Sequence, residues 1–426
     1  MSNLAILGGE PVISKPYEVY RSVGKAEKEA LSDVIDRNCL SGFFASWEHG
    51  FSGGYYVNKF EEEWKKLFSV DHCVAVNSAT SGLYAAMGAI GISPGDEVIV
   101  PPFSMSATVV APLIYGGIPV FSRIEEETFG LDPKYVIENI TDKTKAILVV
   151  NLFGHSAKLL ELKEICKKYN LYLIEDNSQS PLAKTDDGKF CGTVGDIGIF
   201  SLNYHKHIHT GEGGMCVTNN NELSLRLKLI RNHAENVVND AHVQDLTNMV
   251  GFNYRMTELS AAVGIAQIRD IHHHLKRRID LAEFLTNLCK PLEGLSTPVV
   301  RPNCTHVYYV WALKCDEATL GVSRDLFSKA LELEGFPNFQ GYVRPLYKLP
   351  LFQKRIAFGR NGYPFTLTKR SYQDVHCPIS SSLQEKTLLG FEPCRWEILE
   401  NDYELLEKAF MKVYKNRHKL KDIKLS

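Results

Sequence analysis

Short apolar runs, each closed by polar or turn-forming residues, recur through the middle of the chain. Glu97-Val98-Ile99-Val100 ends at Pro101-Pro102, and Ala146-Ile147-Leu148-Val149-Val150 ends at Asn151-Leu152-Phe153-Gly154. Leu171-Tyr172-Leu173-Ile174 runs into Glu175-Asp176, and Ile197-Gly198-Ile199-Phe200-Ser201-Leu202 runs into Asn203. Between the second and third runs, Leu162, Ile165 and Cys166 recur at helical spacing over residues 159–169. Continuous apolar runs alternating with amphipathic helices predict an α/β domain whose mostly parallel sheet is buried on both faces. In such sheets ligands sit beyond the carboxyl ends of the strands. The polar residues directly after each run are therefore where chemistry is to be sought.

Downstream the texture changes. Ala261, Ala262, Ile265, Ile268, Ile271, Leu275, Leu281 and Leu285 predict one long helix over about residues 260–290, of the kind that bridges two domains. A strand is predicted over 306–313, a helix over 327–333 and a final helix over 403–414. This pattern divides the chain into a large domain, residues 1–280 with an N-terminal arm, and a smaller α+β domain, residues 281–426. There is no internal repeat or low-complexity tract. The basic stretch 415–424 reads as a solvated end.

Composition narrows the partners. The 426 residues carry a formal net charge of −2, so no basic excess argues for nucleic acid. The N-terminus lacks a basic region ahead of its short apolar stretch and does not read as a signal peptide. The apolar runs are too short to span a bilayer. Ten cysteines without a Cys-x-x-Cys pair point to reduced thiols and a cytoplasmic protein. No metal-ligand spacing is visible. Small molecules and other subunits are the expected partners.

Three segments carry candidate chemistry. The first is Ser201-Leu202-Asn203-Tyr204-His205-Lys206-His207-Ile208-His209-Thr210-Gly211-Glu212-Gly213-Gly214, a polar loop with one lysine before a glycine-rich turn. Desolvation and nearby cations lower a lysine pKa and make its amine usable for Schiff-base chemistry, and the three histidines are candidate contributors. The glycines permit positive φ or close approach to a bulky ring. A plain surface lysine before a turn explains the segment too. The second is Glu175-Asp176-Asn177-Ser178-Gln179, where Asp176 follows a buried strand. A carboxylate there suits a pyridine cofactor whose ring nitrogen must stay protonated, as in pyridoxal 5′-phosphate (PLP), and it equally suits a turn cap. The third is Asn77-Ser78-Ala79-Thr80-Ser81-Gly82 at a helix start, which presents N–H and hydroxyl groups to a phosphate or caps the helix.

With these motifs in this order, the sequence resembles the DegT/DnrJ/EryC1/StrS family of PLP-dependent sugar aminotransferases. Ser201 to Gly214 match its Ser-aromatic-x-x-x-Lys-x-x-x-x-Gly-[Glu/Asp]-Gly-Gly motif, with Leu202 in the aromatic place. Glu175 to Gln179 match Glu-Asp-x-x-Gln, and Gly95-Asp96-Glu97-Val98-Ile99-Val100-Pro101 matches the strand leading to the active site. Gly251-Phe252-Asn253-Tyr254-Arg255-Met256-Thr257-Glu258 matches Gly-x-Asn-x-Arg-Met, and the likeness extends through Arg344-Pro345-Leu346-Tyr347. It implies the aspartate aminotransferase-like fold, PLP fold type I. It further implies that Lys206 holds the cofactor and shuttles the proton, Asp176 pairs with the ring nitrogen, and Gln179 bonds the phenolic oxygen. Thr80, Ser81 and Ser201 hold the phosphate, and Asn253 reaches it from a neighbouring subunit, so the sites of a homodimer are shared.

The family's ring-stacking aromatic is replaced here by Met105, within Pro101-Pro102-Phe103-Ser104-Met105-Ser106-Ala107-Thr108, with Phe103 as the alternative. A thioether packs on a ring face. For the substrate, Arg255 and Arg344 are candidates for a diphosphate, and His306, Tyr308 and Tyr342 for sugar hydroxyls; each also suits a structural role. The expected reaction passes an amino group from glutamate or glutamine to a keto-sugar, nucleotide-linked, in cell-surface glycan or secondary-metabolite synthesis. Leu7-Gly8-Gly9-Glu10-Pro11-Val12 and His376-Cys377-Pro378 are similar to relatives acting on keto-cyclitols or aminobenzoate precursors. A PLP-dependent dehydratase replaces the lysine with histidine, and a silent regulator loses the lysine or aspartate; this chain keeps both.

Overall fold

The computed structural model describes residues 3–421 and 423. Seven strands form the large sheet, β1 (His72–Val76), β2 (Glu97–Val100), β3 (Ile118–Phe121), β4 (Thr144–Val150), β5 (Tyr172–Asp176), β6 (Ile197–Ser201) and β7 (Gly214–Thr218), and the four apolar runs are β2, β4, β5 and β6. Their order is β1-β7-β6-β5-β4-β2-β3. From β6 through β3 every neighbouring pair is parallel, and β7 runs antiparallel to β6 and β1. Successive side chains alternate between two cores. Ile147, Val149, Leu173 and Phe200 face the helices Tyr55–Phe68 and Leu159–Tyr169. Leu148, Ile174, Ile197 and Ile199 face Ala79–Ala89 and Asn221–Arg231. Burial on both faces is why these strands read as unbroken apolar runs.

The helix Leu159–Tyr169 buries Leu159, Leu162, Ile165 and Cys166, the stripe its spacing predicts. Helix Tyr55–Phe68 buries Val57, Phe60, Trp64 and Phe68, and the Trp64 and Phe68 rings stack at 4.9 Å. Each such large side chain, fully buried, contributes about 1.5–3 kcal/mol. The same helix carries Glu61 into the core, where it meets the buried Arg231 at 2.7 Å and accepts the Ala75 N–H at 2.8 Å.

The predicted long helix spans Glu258–Cys289. Beyond it lie β8 (Leu295–Ser296), β9 (Trp311–Cys315), β10 (Phe339–Gln340) and β11 (Leu388–Phe391), an antiparallel sheet in the order β10-β11-β9-β8. The strand predicted over 306–313 begins only at Trp311. Ahead of it the His306 ring stacks on Tyr308 at 3.9 Å, and its Nδ1 accepts the Tyr308 N–H at 3.0 Å. Tyr308 takes φ +47°, a left-handed bend that breaks the extended run.

Packing crosses the sequence in both directions. Leu4 and Ile13 of the N-terminal arm join Trp311, Phe327 and Phe410 in one core. Glu334 ties the arm down by accepting the Ala5 and Val12 N–H groups at 2.8 and 3.0 Å. Leu346, Phe352, Tyr372 and Cys377, from the later half of the chain, join the core beneath the large sheet.

Candidate active site

The strand register gathers the candidate residues. Val150 lies opposite Asp176 between β4 and β5, and Asp176 lies opposite Ile199 between β5 and β6. Ser201 closes β6 and pairs with Gly214 at the start of β7, so residues 202–213 leave the sheet edge as one loop carrying Lys206. One glycine of the loop and one at the start of β7 are constrained. Gly211 takes φ +82°, and a Cβ on Gly214 would lie 2.6 Å from the Ala79 nitrogen. Its absence lets β7 start directly against the helix that opens after Ser78.

These elements enclose a cavity of about 290 Å³ lined by Thr80, Met105, Asp176, Gln179, Ser201 and Lys206. Ser78, Ser104, Ser178, Asn203 and Glu212 also reach its wall. A more open depression of about 740 Å³ runs along residues 42–66, but Lys206 does not line it.

Asp176 is buried at one end. Its Oδ2 accepts the Thr108 hydroxyl at 2.7 Å and its Oδ1 accepts the Ser178 N–H at 3.2 Å. Glu175 points into the sheet instead, where it accepts the Gly192, Val194 and Gly195 N–H groups. Burial of Glu175 raises its carboxyl despite those donors.

Lys206 sits with its Nζ 4.2 Å from the centre of the Tyr309 ring. Burial lowers its amine from 10.5 to about 8; Asp176, Cys394 and Glu392 work against that shift, and Arg278 adds to it. The expected help from the histidines takes another form. Burial drives His205 down to about 4, His207 well below its usual value and His209 below it. Lowered in this way, the three rings favour the neutral form rather than adding positive charge to the lysine loop. His207 Nε2 bonds the Val307 carbonyl oxygen at 2.9 Å, and His209 Nε2 meets the Ser22 hydroxyl at 2.7 Å.

The phosphate candidates divide. Ser78 caps the helix Ala79–Ala89 by accepting the Ser81 N–H at 3.0 Å. Ser81 donates its hydroxyl to Asn77 Oδ1 at 2.6 Å and is absent from the cavity wall. Thr80 and Ser201 stand on that wall, beside the helix N-terminus. Asn253 is exposed; its carbonyl oxygen accepts from Asn77 at 3.3 Å. Met105 lies on the cavity wall, 57% exposed, at the position the sequence assigns to ring stacking. Phe103 is fully buried, edge-on to Phe153 and Tyr342.

The substrate candidates divide as well. Tyr342 accepts a hydrogen bond from Gln179 Nε2 at 2.9 Å, while Gln179 Oε1 accepts the Phe153 N–H at 2.9 Å. Arg344 is exposed on the same loop, which is tied to the strand-end segment by the Leu346 N–H donating to the Pro102 carbonyl oxygen at 2.7 Å. Arg255 donates to Asn232 Oδ1 at 2.8 Å, and His306 and Tyr308 are buried against each other; none of the three lines the cavity. Thr108 and Tyr309 were not singled out from the sequence. Thr108 closes the quoted segment after β2 and carries a hydroxyl at a strand end, which is a usable signal. Tyr309 lies about 100 residues from the lysine and gives none.

The donors fit PLP. A half-buried lysine with a lowered amine and a buried carboxylate share one cavity, and a helix N-terminus with two hydroxyls stands on its wall. Ser104 Oγ on that wall is buried without a hydrogen-bond partner. Among the described residues no group of three metal-ligating side chains occurs, and no helix is long and apolar enough to cross a membrane.

Known proteins share this architecture. GDP-perosamine synthase of Vibrio cholerae is 33% identical over 332 residues, covering 77% of this chain and 84% of that protein. L-glutamine:2-deoxy-scyllo-inosose aminotransferase of Streptomyces kanamyceticus is 30% identical over 431 residues, covering 98% of each. The X-ray structure of an aminotransferase from Psychrobacter cryohalolentis superposes with a TM-score of 0.82 at 26% identity, covering 95% of this chain and 100% of that one. The sequence pattern of the DegT/DnrJ/EryC1/StrS aminotransferase family matches residues 45–388, most of the chain. The chain belongs to that family and is a PLP-dependent transaminase.

Proposed function

We propose that the enzyme transfers the amino group of glutamate or glutamine to the ring ketone of a nucleotide-linked keto-sugar. The observation that carries the chemistry is the convergence of Lys206, with its lowered amine, and the Thr108-supported Asp176 in one cavity. Bound there, PLP supplies the electron sink that transamination requires.

The chain's own groups divide the rest of the work. Lys206 would hold the cofactor through its amine and would serve as the general base for the substrate proton. Asp176 would pair with the ring nitrogen and keep its proton in place. Thr80, Ser201 and the helix N-terminus after Ser78 hold the phosphate. Met105 would cover one ring face. Gln179 is the donor toward the phenolic oxygen, oriented by Phe153 and Tyr342. Arg344, exposed on the loop that carries Tyr342, meets the substrate diphosphate. Asn253, on the surface beside Asn77, serves the site of a second subunit in a homodimer. The large and small units divide at residue 280, within the long helix.

A keto-cyclitol is the second reading. It is favoured by the inosose aminotransferase that aligns over 98% of both chains, N-terminal arm included.

The test is an acceptor screen. Enzyme loaded with pyridoxamine phosphate is offered GDP-, dTDP- and UDP-linked keto-sugars and a set of inososes, and products are read by mass spectrometry. Amination of a nucleotide-linked sugar is expected. Amination of inososes alone replaces the first reading with the second. Failure of every acceptor, with normal turnover of glutamate or glutamine, removes both.

A further inference from the structure

Four arginines are buried among the described residues, and three are well partnered. Arg226 donates to three carbonyl oxygens, Arg231 pairs with Glu61, and Arg324 pairs with Asp325 and two carbonyls. Arg278 differs. It is 6% exposed, its Nη2 reaches only the Lys206 carbonyl oxygen at 3.4 Å, and its Nη1 is buried with no hydrogen-bond partner. It forms no ion pair among the described residues. Its neighbour Arg277 turns outward instead, over the Tyr20 ring at 3.9 Å and toward Glu397 at 3.4 Å.

A buried guanidinium without a carboxylate partner is costly. The groups around it do not neutralise it. From the lysine loop come His207 and His209, and from its own helix His274, each held below its usual value first by burial and then by Arg278. Cys394, Tyr20 and Tyr309 also lie around it, and none of them is a carboxylate. Glu392, on the segment with Cys394, pairs with Arg395 at 3.1 Å. An uncompensated cation therefore stands against the main chain of Lys206, while the lysine amine lies over Tyr309.

We propose that Arg278 is a positioning residue for Lys206: its buried guanidinium, with no carboxylate partner, holds the lysine loop by the Lys206 carbonyl and sets a second positive charge against that loop. The inference rests on Lys206 being the reactive amine proposed above. Burial is the larger influence on that amine, and Arg278 acts in the same direction while Asp176, Cys394 and Glu392 oppose it. Two like charges in a low-dielectric interior repel strongly, so removing one eases protonation of the other.

The test is competitive acetic-anhydride labelling of the full-length, cofactor-free protein across pH, read at the Lys206 peptide by mass spectrometry. Arg278→Met is expected to move the labelling midpoint upward by about half a unit, leaving about threefold less free amine at neutral pH. Arg278→Lys, which keeps the charge, is expected to stay close to the parent. The pH midpoint of the holoenzyme's visible absorbance should rise in the methionine variant as well. If Arg278→Met does not fold, Arg278→Gln carries the same expectation. A parental midpoint in the neutral variants, or equal shifts in the lysine and neutral variants, would overturn the proposal, because packing and not charge would then be acting. Turnover retained by Lys206→Ala would sink the role of the lysine without altering the labelling result, so the two readings fail separately.

Discussion

The Thr108 hydroxyl donates to Asp176 Oδ2 at 2.7 Å, joining the segment after β2 to the end of β5 across two strand positions. One carboxylate oxygen is thereby oriented by a side chain and the other by the Ser178 N–H. A hydrogen bond to a charged acceptor is worth about 1.5–3 kcal/mol. Thr108→Val should weaken PLP affinity about tenfold or more, and Thr108→Ser should keep it. Equilibrium binding followed by cofactor absorbance checks this; equal affinity in all three proteins would remove Thr108 from the site.

Lys206→Ala should lower transamination by at least about a thousandfold, read as initial rate with saturating PLP. The pH sign is fixed by the lowered amine. Free amine grows as pH rises through about 8, rather than through the 10.5 of an ordinary lysine. The rate at which added PLP is captured by the cofactor-free protein should climb over that same interval. A climb only near the ordinary lysine value would contradict the burial described here.

Met105 is a loose wall for an aromatic ring, being unbranched and more than half exposed. Met105→Ala should weaken PLP binding a few-fold, and Met105→Phe should match or exceed the parent. If alanine binds as well as phenylalanine, this side chain does not cover the ring.

Glu61 and Arg231 form a buried ion pair 2.7 Å apart, remote from the cavity. Removing one partner strands the other, at a cost of about 3–5 kcal/mol. Glu61→Gln should therefore shift the denaturant midpoint strongly downward, and the double variant Glu61→Gln, Arg231→Met should recover part of the loss. No recovery would mean that the cost is one of shape.

Arg370 grips the buried Glu97 at the start of β2 through Nε at 2.6 Å and Nη2 at 2.8 Å. Burial alone would raise the Glu97 carboxyl, but the Arg370 and Thr141 hydrogen bonds outweigh it and hold the carboxyl below its usual value of 4.5. A carboxyl lowered by folding stabilises above its unfolded value, and that contribution is lost as pH falls through the folded one. Glu97→Gln should therefore flatten the acid side of a stability-against-pH curve, below about pH 4.5, and lower the plateau above it. An acid limb as steep as the parent's would assign that loss to other carboxylates.

Sequence alone determined the parts of this site that lie at strand ends. Asp176, Ser201, the Lys206 loop and the helix start after Ser78 each follow an apolar run directly, and a parallel sheet buried on both faces aligns such ends on one edge, so the run pattern fixes their neighbourhood. Tertiary structure decided everything that arrives from elsewhere. It placed the Tyr309 ring beneath the lysine amine, drew Arg278 in from the long helix, and turned Ser81 back to Asn77. It also bent the chain at Tyr308, so that His306 closes on its own neighbour instead of facing the cavity. These contacts depend on how helices and the second sheet pack against the first. Hydrophobic periodicity reports which face of an element is buried, and it carries no information on which distant element will cover that face.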